Sequence, residues 1–124
     1  MIARIWHGWA KPEDAKAYEK LLRAEIFPSI AARKIEGYRG AELFVREDGN
    51  EVEFVTLLRF DSMDAVEEFA GPEASKPVIF PKAKALIARM EHARHYHVAI
   101  DNELLSRRSA CQSFPRQAAR LPYN

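Results

Sequence analysis

Residues 51–60, EVEFVTLLRF, read as a strand that is apolar on both faces. Val52, Phe54, Leu58 and Phe60 fall on one side, Val55 and Leu57 on the other. An antiparallel sheet with one wet face alternates polar and apolar residues along each strand, and this one does not. Its neighbours share the property. Residues 37–47 set Ala41, Leu43 and Val45 against Tyr38, Gly40 and Phe44, and residues 2–9 set Ile2 and Trp6 against Ile5 and Trp9. Helices of a chain this short cover one face of such a sheet. The other face, left open, is a larger apolar patch than a monomer ordinarily shows. A second copy supplies the simplest cover, because two-fold homodimers dominate oligomers. Two sheets of four strands packed this way enclose a barrel that can hold one small ligand.

The remaining elements follow from local signals. Residues 2–9, IARIWHGW, are the first strand. Pro12 suits the first position of a helix, with Glu13 and Asp14 complementing its positive end. Ala15, Tyr18, Leu22 and Ile26 give that helix an apolar stripe. Pro28 is expected to kink or break it, leaving a short second piece to about Lys34. A turn at Asp48-Gly49-Asn50 joins the two central strands. A two-residue turn pairs Arg46 with Glu53, and a three-residue turn pairs Leu43 with Val55. Asp61-Ser62 offers an N-cap to a helix carrying Met63, Val66, Phe69 and Ala70, which Gly71-Pro72 ends. A further short helix is expected from Pro81, with Ala83, Leu86, Ile87 and Met90 as its stripe, before a last strand over residues 91–100. The order β-α-β-β-α-α-β is an α+β, ferredoxin-like split βαβ pattern with an antiparallel four-stranded sheet. It makes one domain of residues 1–100, followed by a C-terminal tail, 101–124, with a helical turn around 104–109.

Composition excludes several partners. Lys plus Arg number 19 against 18 Asp plus Glu, and no basic stripe is interleaved with aromatics, so nucleic acid is not expected. No apolar run reaches the length of a membrane span, and the N-terminus lacks the apolar core of a signal peptide. A cytoplasmic location is the default expectation. Cys111 is the chain's one cysteine, so no internal disulfide forms, and no acid or histidine near it in sequence activates its thiol.

The stretch EHARHYHVAI, residues 91–100, holds three of the four histidines. On a strand His95 and His97 point one way and His92 the other, which rules out a three-histidine metal site from this segment alone. No metal is expected. His95 and His97 are either half-buried polar residues of the sheet or bases that titrate near neutral pH.

The run GYRGAELFVREDGNEVEFVTLLRFDSMDAVEEFAG, with MIARIWHGW before it and ARHYHV after it, resembles the antibiotic biosynthesis monooxygenase family of dimeric α+β barrels. The resemblance covers roughly residues 1–100 and implies a homodimer. It implies a cofactor-independent monooxygenase that oxidises a small aromatic or polyketide-like phenol with O2. The wider superfamily also holds haem-degrading members, which use an asparagine on the first strand. This chain has none there. The chemistry needs a base, a donor for the resulting oxyanion and a dry apolar cavity, and no cofactor. His95 or His97 is the candidate base, Arg4 or Arg59 the anion partner, Trp6 and Tyr38 the surfaces for a flat substrate, and Glu42 a further substrate-binding candidate. Arg4 and Arg59 otherwise pair with Glu42 or Glu53 across strands, and Trp6 and Tyr38 otherwise fill the dimer core. Arg4, Trp6, His95 and His97 are expected to face the barrel, with Ala3, Ile5, Tyr96 and Val98 under the helices. The alternative function is a non-catalytic dimeric barrel that binds a small apolar ligand or serves in a stress response.

Overall fold

A computed structural model describes residues 1–101. The tail's expected helical turn and Cys111 lie outside the described residues. Strand β1, Ile2–Ala10, leads through Lys11 into helix α1, Pro12–Leu21, which begins on Pro12 as expected. Pro28 does not break the helix. A π-helical segment, Leu22–Ile26, runs directly into α2, Phe27–Ala32, with Pro28 in its first turn. Proline lacks an N–H and collides with the carbonyl four residues back, and the wider π turn just before it relieves both demands. The buried row explains why a π turn suits this helix. Tyr18, Leu22, Ile26 and Ile30 recur at steps of four, and all are buried. On an α-helix a four-residue step drifts by about 40°. The slower winding of a π turn holds the row on one line above the sheet.

Strands β2, Tyr38–Asp48, and β3, Glu51–Phe60, form a hairpin whose two-residue turn pairs Asp48 with Glu51 and Arg46 with Glu53. Only Gly49 of the turn takes a positive φ, 62°. A bulge shifts the register between Tyr38 and Ala41, at Gly40, whose φ of 112° favours glycine. The extra residue returns Tyr38 to the helix side, where its ring lies 5.6 Å from that of Phe60. Tyr38 thus does not share the face of Phe44. Helix α3, Met63–Ala70, is capped by the Ser62 side chain, which accepts from the Ala65 N–H, and ends on Gly71 at φ 86°. Asp61 takes no part in the cap and pairs with Arg39.

The helix expected from Pro81 shrinks to a single 3₁₀ turn, Pro81–Ala83. So short a helix is marginal alone, and the open edge of β1 offers its segment better partners. The Ala88 N–H donates to the Trp9 carbonyl and the Glu91 N–H to that of His7. Met90 therefore belongs to a two-residue strand, β4, Arg89–Met90, and not to a helical stripe. The last strand is correspondingly interrupted. Ala93 is drawn out of the ladder and buried, its N–H bonded to the Ser75 carbonyl, and β5 covers only Arg94–His97.

The sheet order is β2-β3-β1, with β4 and β5 both antiparallel to β1 on its other edge, the split βαβ arrangement. The helices cover one face. There Phe54, Phe60 and Val66 are fully buried, joined by Trp6, Leu58, Phe69 and the Tyr18–Ile30 row. The helix-free face carries Ala3, Ile5 and Trp9 of β1, Val55 and Leu57 of β3, Phe44 of β2 and Tyr96 of β5. Phe44 and Tyr96 are each 48% exposed there, as the two-faced strands foretell.

Candidate functional site

Arg4 pairs with His95 across β1 and β5, and the Ile2–His97 pair lies one step along the same face. That face is the helix side. Arg4, Trp6 and His95 were expected in a chamber between two sheets. The register instead puts them under the helices of their own chain, with Ala3, Ile5 and Tyr96 outward. The signal misread was the row Ala3, Ile5, Tyr96: its modest size suits a helix contact and a sheet contact equally.

On the helix side lies a cavity of about 50 Å³ lined by Arg4, Trp6 and Thr56 on the sheet, Tyr18, Leu22 and Ile26 on the helix, and Phe69 and Phe80 above. Its wall is mainly apolar. Arg4 is 3% exposed and makes no ion pair among the described residues. Its guanidinium donates to the Ala74 carbonyl at 2.5 Å and the Lys76 carbonyl at 3.1 Å, and lies 5.4 Å from the centre of the Phe69 ring. Its Nη1 is 3.0 Å from His95 Nε2. Burial lowers the Arg4 pKa to about 10, so the group stays cationic at neutral pH. A buried cation held only by carbonyls, an imidazole and a ring face is costly, and an anion beside it would lower that cost. Because Nη1 can only donate, His95 Nε2 is the acceptor and carries no proton. Burial first, then the Arg4 charge, holds the His95 pKa below the usual imidazole value.

Trp6 lines the same cavity. Tyr18, read from sequence only as core, lines it too, and burial pushes its phenol pKa up, so it stays protonated. Nothing in the sequence separates a cavity-lining tyrosine from a packed one at a helical stripe position. The other nominated residues lie elsewhere. His97 is exposed at the end of β5. Tyr38 packs on Phe60. Arg59 and Glu42 form an ion pair at 2.9 Å on the helix-free face. Nearby on that face His7 Nδ1 is 2.7 Å from Glu53, which Arg46 also holds at 2.8 Å. Trp9 donates to Asp48 at 3.0 Å under the Arg89 guanidinium. Among the described residues no group of three or more His, Cys, Asp or Glu side chains is placed to hold a metal ion. No described helix is long and apolar enough to cross a membrane.

A second space, a groove of about 360 Å³, adjoins the cavity and is lined by Leu21, Glu25, Ile26, Ser29, Phe80, Pro81 and Lys82. Ile26 and Phe80 border both spaces. The cavity has room for a few waters, whereas an aromatic ring needs roughly 150 Å³. A ring therefore does not fit the cavity as it stands, and Ile26 and Phe80 are the side chains whose movement would join it to the groove.

The same architecture recurs in solved structures. A Bacillus cereus protein described as a candidate antibiotic biosynthesis monooxygenase superposes with a TM-score of 0.57 at 18% identity, over 82% of this chain and 94% of its own. A second antibiotic biosynthesis monooxygenase structure gives 0.58 at 19%, over 81% and 100%. A NIPSNAP family protein from Agrobacterium tumefaciens gives 0.59 at 22%, over 83% and 97%. The chain has their fold. No family model matches the sequence, and neither does any curated protein. The two kinds of neighbour share this α+β sheet with helices on one face, so the likeness fixes the scaffold and leaves the chemistry to the cavity's own residues.

Proposed function

We propose that the chain is a cofactor-independent monooxygenase that binds a small aromatic or polyketide-like phenol between its helices and its sheet. One observation carries the reading: a buried guanidinium without a carboxylate partner at the wall of a mainly apolar cavity, with the His95 imidazole, itself outside the lining, bonded to it. Arg4 turns its donors from His95 to the substrate oxygen, which frees the His95 Nε2 lone pair to take the proton, and the guanidinium then holds the oxyanion. The anion passes one electron to O2, and the two radicals combine at the reacting carbon as a peroxide. Loss of water from a CH–O–O–H centre then leaves a C=O, so one oxygen atom enters the product and the other leaves in water. The apolar wall keeps bulk water from quenching the anion.

Oxygen uptake with an anthrone tests this. His95→Ala is expected to lower turnover by about 10²–10⁴-fold while His97→Ala changes little. No uptake by the wild type would sink the substrate class. The pH profile has a definite sign. The base works unprotonated, and its pKa lies below the usual imidazole value. Activity should therefore be flat through pH 7 and fall only at acid pH. Arg4→Gln removes one cause of that depression, so residual activity should fail at a higher pH than in wild type.

The small volume of the cavity favours a second reading, a barrel that binds a small apolar ligand and does no chemistry. Ligand binding without oxygen uptake, across a panel of ionisable phenols, would decide for it.

The helix-free face enters the proposal as a two-fold interface with a second copy. Its exposed Phe44 and Tyr96, with the half-buried Ile5, Val55 and Leu57 between them, support this. Leu57→Lys sets a charge in the middle of that strip and is expected to give monomers in sedimentation velocity at micromolar concentration, where the wild type sediments as a dimer. A monomeric wild type would refute the pairing. The cavity needs only one chain, so it does not stand or fall with the dimer.

A further inference from the structure

Two hydroxyls at the cavity take no part in the proposed proton transfer. Tyr18 on α1 and Thr56 on β3 both line the space, and they are 2% and 8% exposed. Neither hydroxyl has a hydrogen-bond partner among the described residues. Nor is either oxygen sealed in the core. Trp6 Nε1 is the one fully enclosed side-chain nitrogen or oxygen without a partner among the described residues, so the Tyr18 and Thr56 oxygens keep some accessible surface. Both residues are otherwise buried, and the space they border is the cavity. Buried hydroxyls are ordinarily bonded, and two unbonded ones on one wall are an unmet demand for a partner.

The register gives them a place. Across β1 and β3, Arg4 pairs with Leu58, Trp6 with Thr56 and Gly8 with Phe54. The Tyr18 ring sits edge-on to Phe54, 4.8 Å away. Arg4 and Tyr18 therefore mark opposite ends of the cavity, over strand positions roughly 13 Å apart, and Thr56 lies on the floor between them. One end is cationic. The other carries neutral hydroxyls, since burial keeps the Tyr18 phenol protonated.

We infer that the Tyr18 and Thr56 hydroxyls bind a second oxygen of the ligand, so that the cavity selects flat phenols bearing a carbonyl or hydroxyl at the end remote from the acidic group. This rests on the cavity being the ligand site once Ile26 and Phe80 have moved. An O–H turns about its C–O bond and both donates and accepts, so either kind of oxygen suits it. A phenol whose far end is hydrocarbon leaves both hydroxyls unpaired and desolvated. A site built for a polar group rejects an apolar one for that reason.

The test uses 4-hydroxyacetophenone and 4-isopropylphenol, which share the phenol and differ at the far end in a carbonyl oxygen against a methyl. Calorimetric titration of the full-length protein gives the ratio of their affinities. Comparing one ligand pair across variants cancels the difference in phenol acidity. Tyr18→Phe and Thr56→Val should each lower the preference for 4-hydroxyacetophenone by roughly 3- to 10-fold and leave 4-isopropylphenol binding unchanged. Arg4→Gln should weaken both ligands. An unchanged preference in both hydroxyl variants, with both phenols still weakened by Arg4→Gln, would overturn the second-oxygen site and spare the cavity. Equal loss of both ligands in the hydroxyl variants would reduce Tyr18 and Thr56 to packing and overturn it as well. Failure of both phenols to bind the wild type would overturn the cavity reading and this inference with it.

Discussion

Arg4→Gln should cut oxygen uptake with an anthrone by roughly 10²–10³-fold, the usual loss when a donor to a developing oxyanion is removed. The loss should fall on kcat more than on KM, because the charge it neutralises appears only after proton transfer. Glutamine keeps a donor for one of the two loop carbonyls now held by Arg4, at Ala74 or Lys76, so the fold should survive. Arg4→Lys keeps the charge and loses the planar fork, and it should recover only part of the activity. Equal turnover by wild type and Arg4→Gln would end the role of Arg4 as anion partner. The same guanidinium ties residues 74 and 76 to β1, so its substitution should also speed amide exchange in that loop.

Phe54→Ala should destabilise the chain by about 3–5 kcal/mol in urea unfolding. Phe54 is fully buried, with its ring 4.8 Å from that of Tyr18 in an edge-on contact, and it joins the sheet to α1. Removing a ring at that junction takes away a large part of a stability that is about 5–15 kcal/mol for small domains. Val55→Ala, one residue on, is the comparison. Its side chain faces away from the helices and is half-buried, so its cost should be smaller and should depend on protein concentration if the helix-free face pairs. A Phe54→Ala variant as stable as wild type would mean that the core lies elsewhere than β3 and α1.

The hairpin was legible because Gly49 sits between two strongly apolar runs, and β3 was read residue for residue from its apolar, β-branched and aromatic run between that turn and Asp61-Ser62. The split βαβ order was legible for the same reason. What the sequence hid was long-range. Pro28 reads as a break because the local rule is strong, and only the spacing of Tyr18, Leu22, Ile26 and Ile30 hinted that the helix continues. Residues 81–90 carry a helical stripe, yet the vacant edge of β1 outbids it, and no local pattern reports a vacant edge. At the site, Arg4 and His95 were both nominated from the sequence, but their side of the sheet depended on a period-two register that either face could satisfy. Arg4 paired with Glu42 or Glu53 was the rival reading on paper. Those acids instead hold Arg59, Arg46 and His7 on the opposite face, leaving Arg4 without a counter-charge.

The π segment at Leu22–Ile26 amounts to one surplus residue in the winding of a helix that forms the cavity's roof. Because the slow turn already absorbs the surplus residue's rotation of about 100°, excising one residue there would restore plain α-winding and leave Tyr18 and Ile30 facing as they do now. A residue can thus be gained or lost in the middle of this roof without re-aiming its ends, which confines any change of contour to Leu22–Ile26 and leaves the sheet beneath untouched.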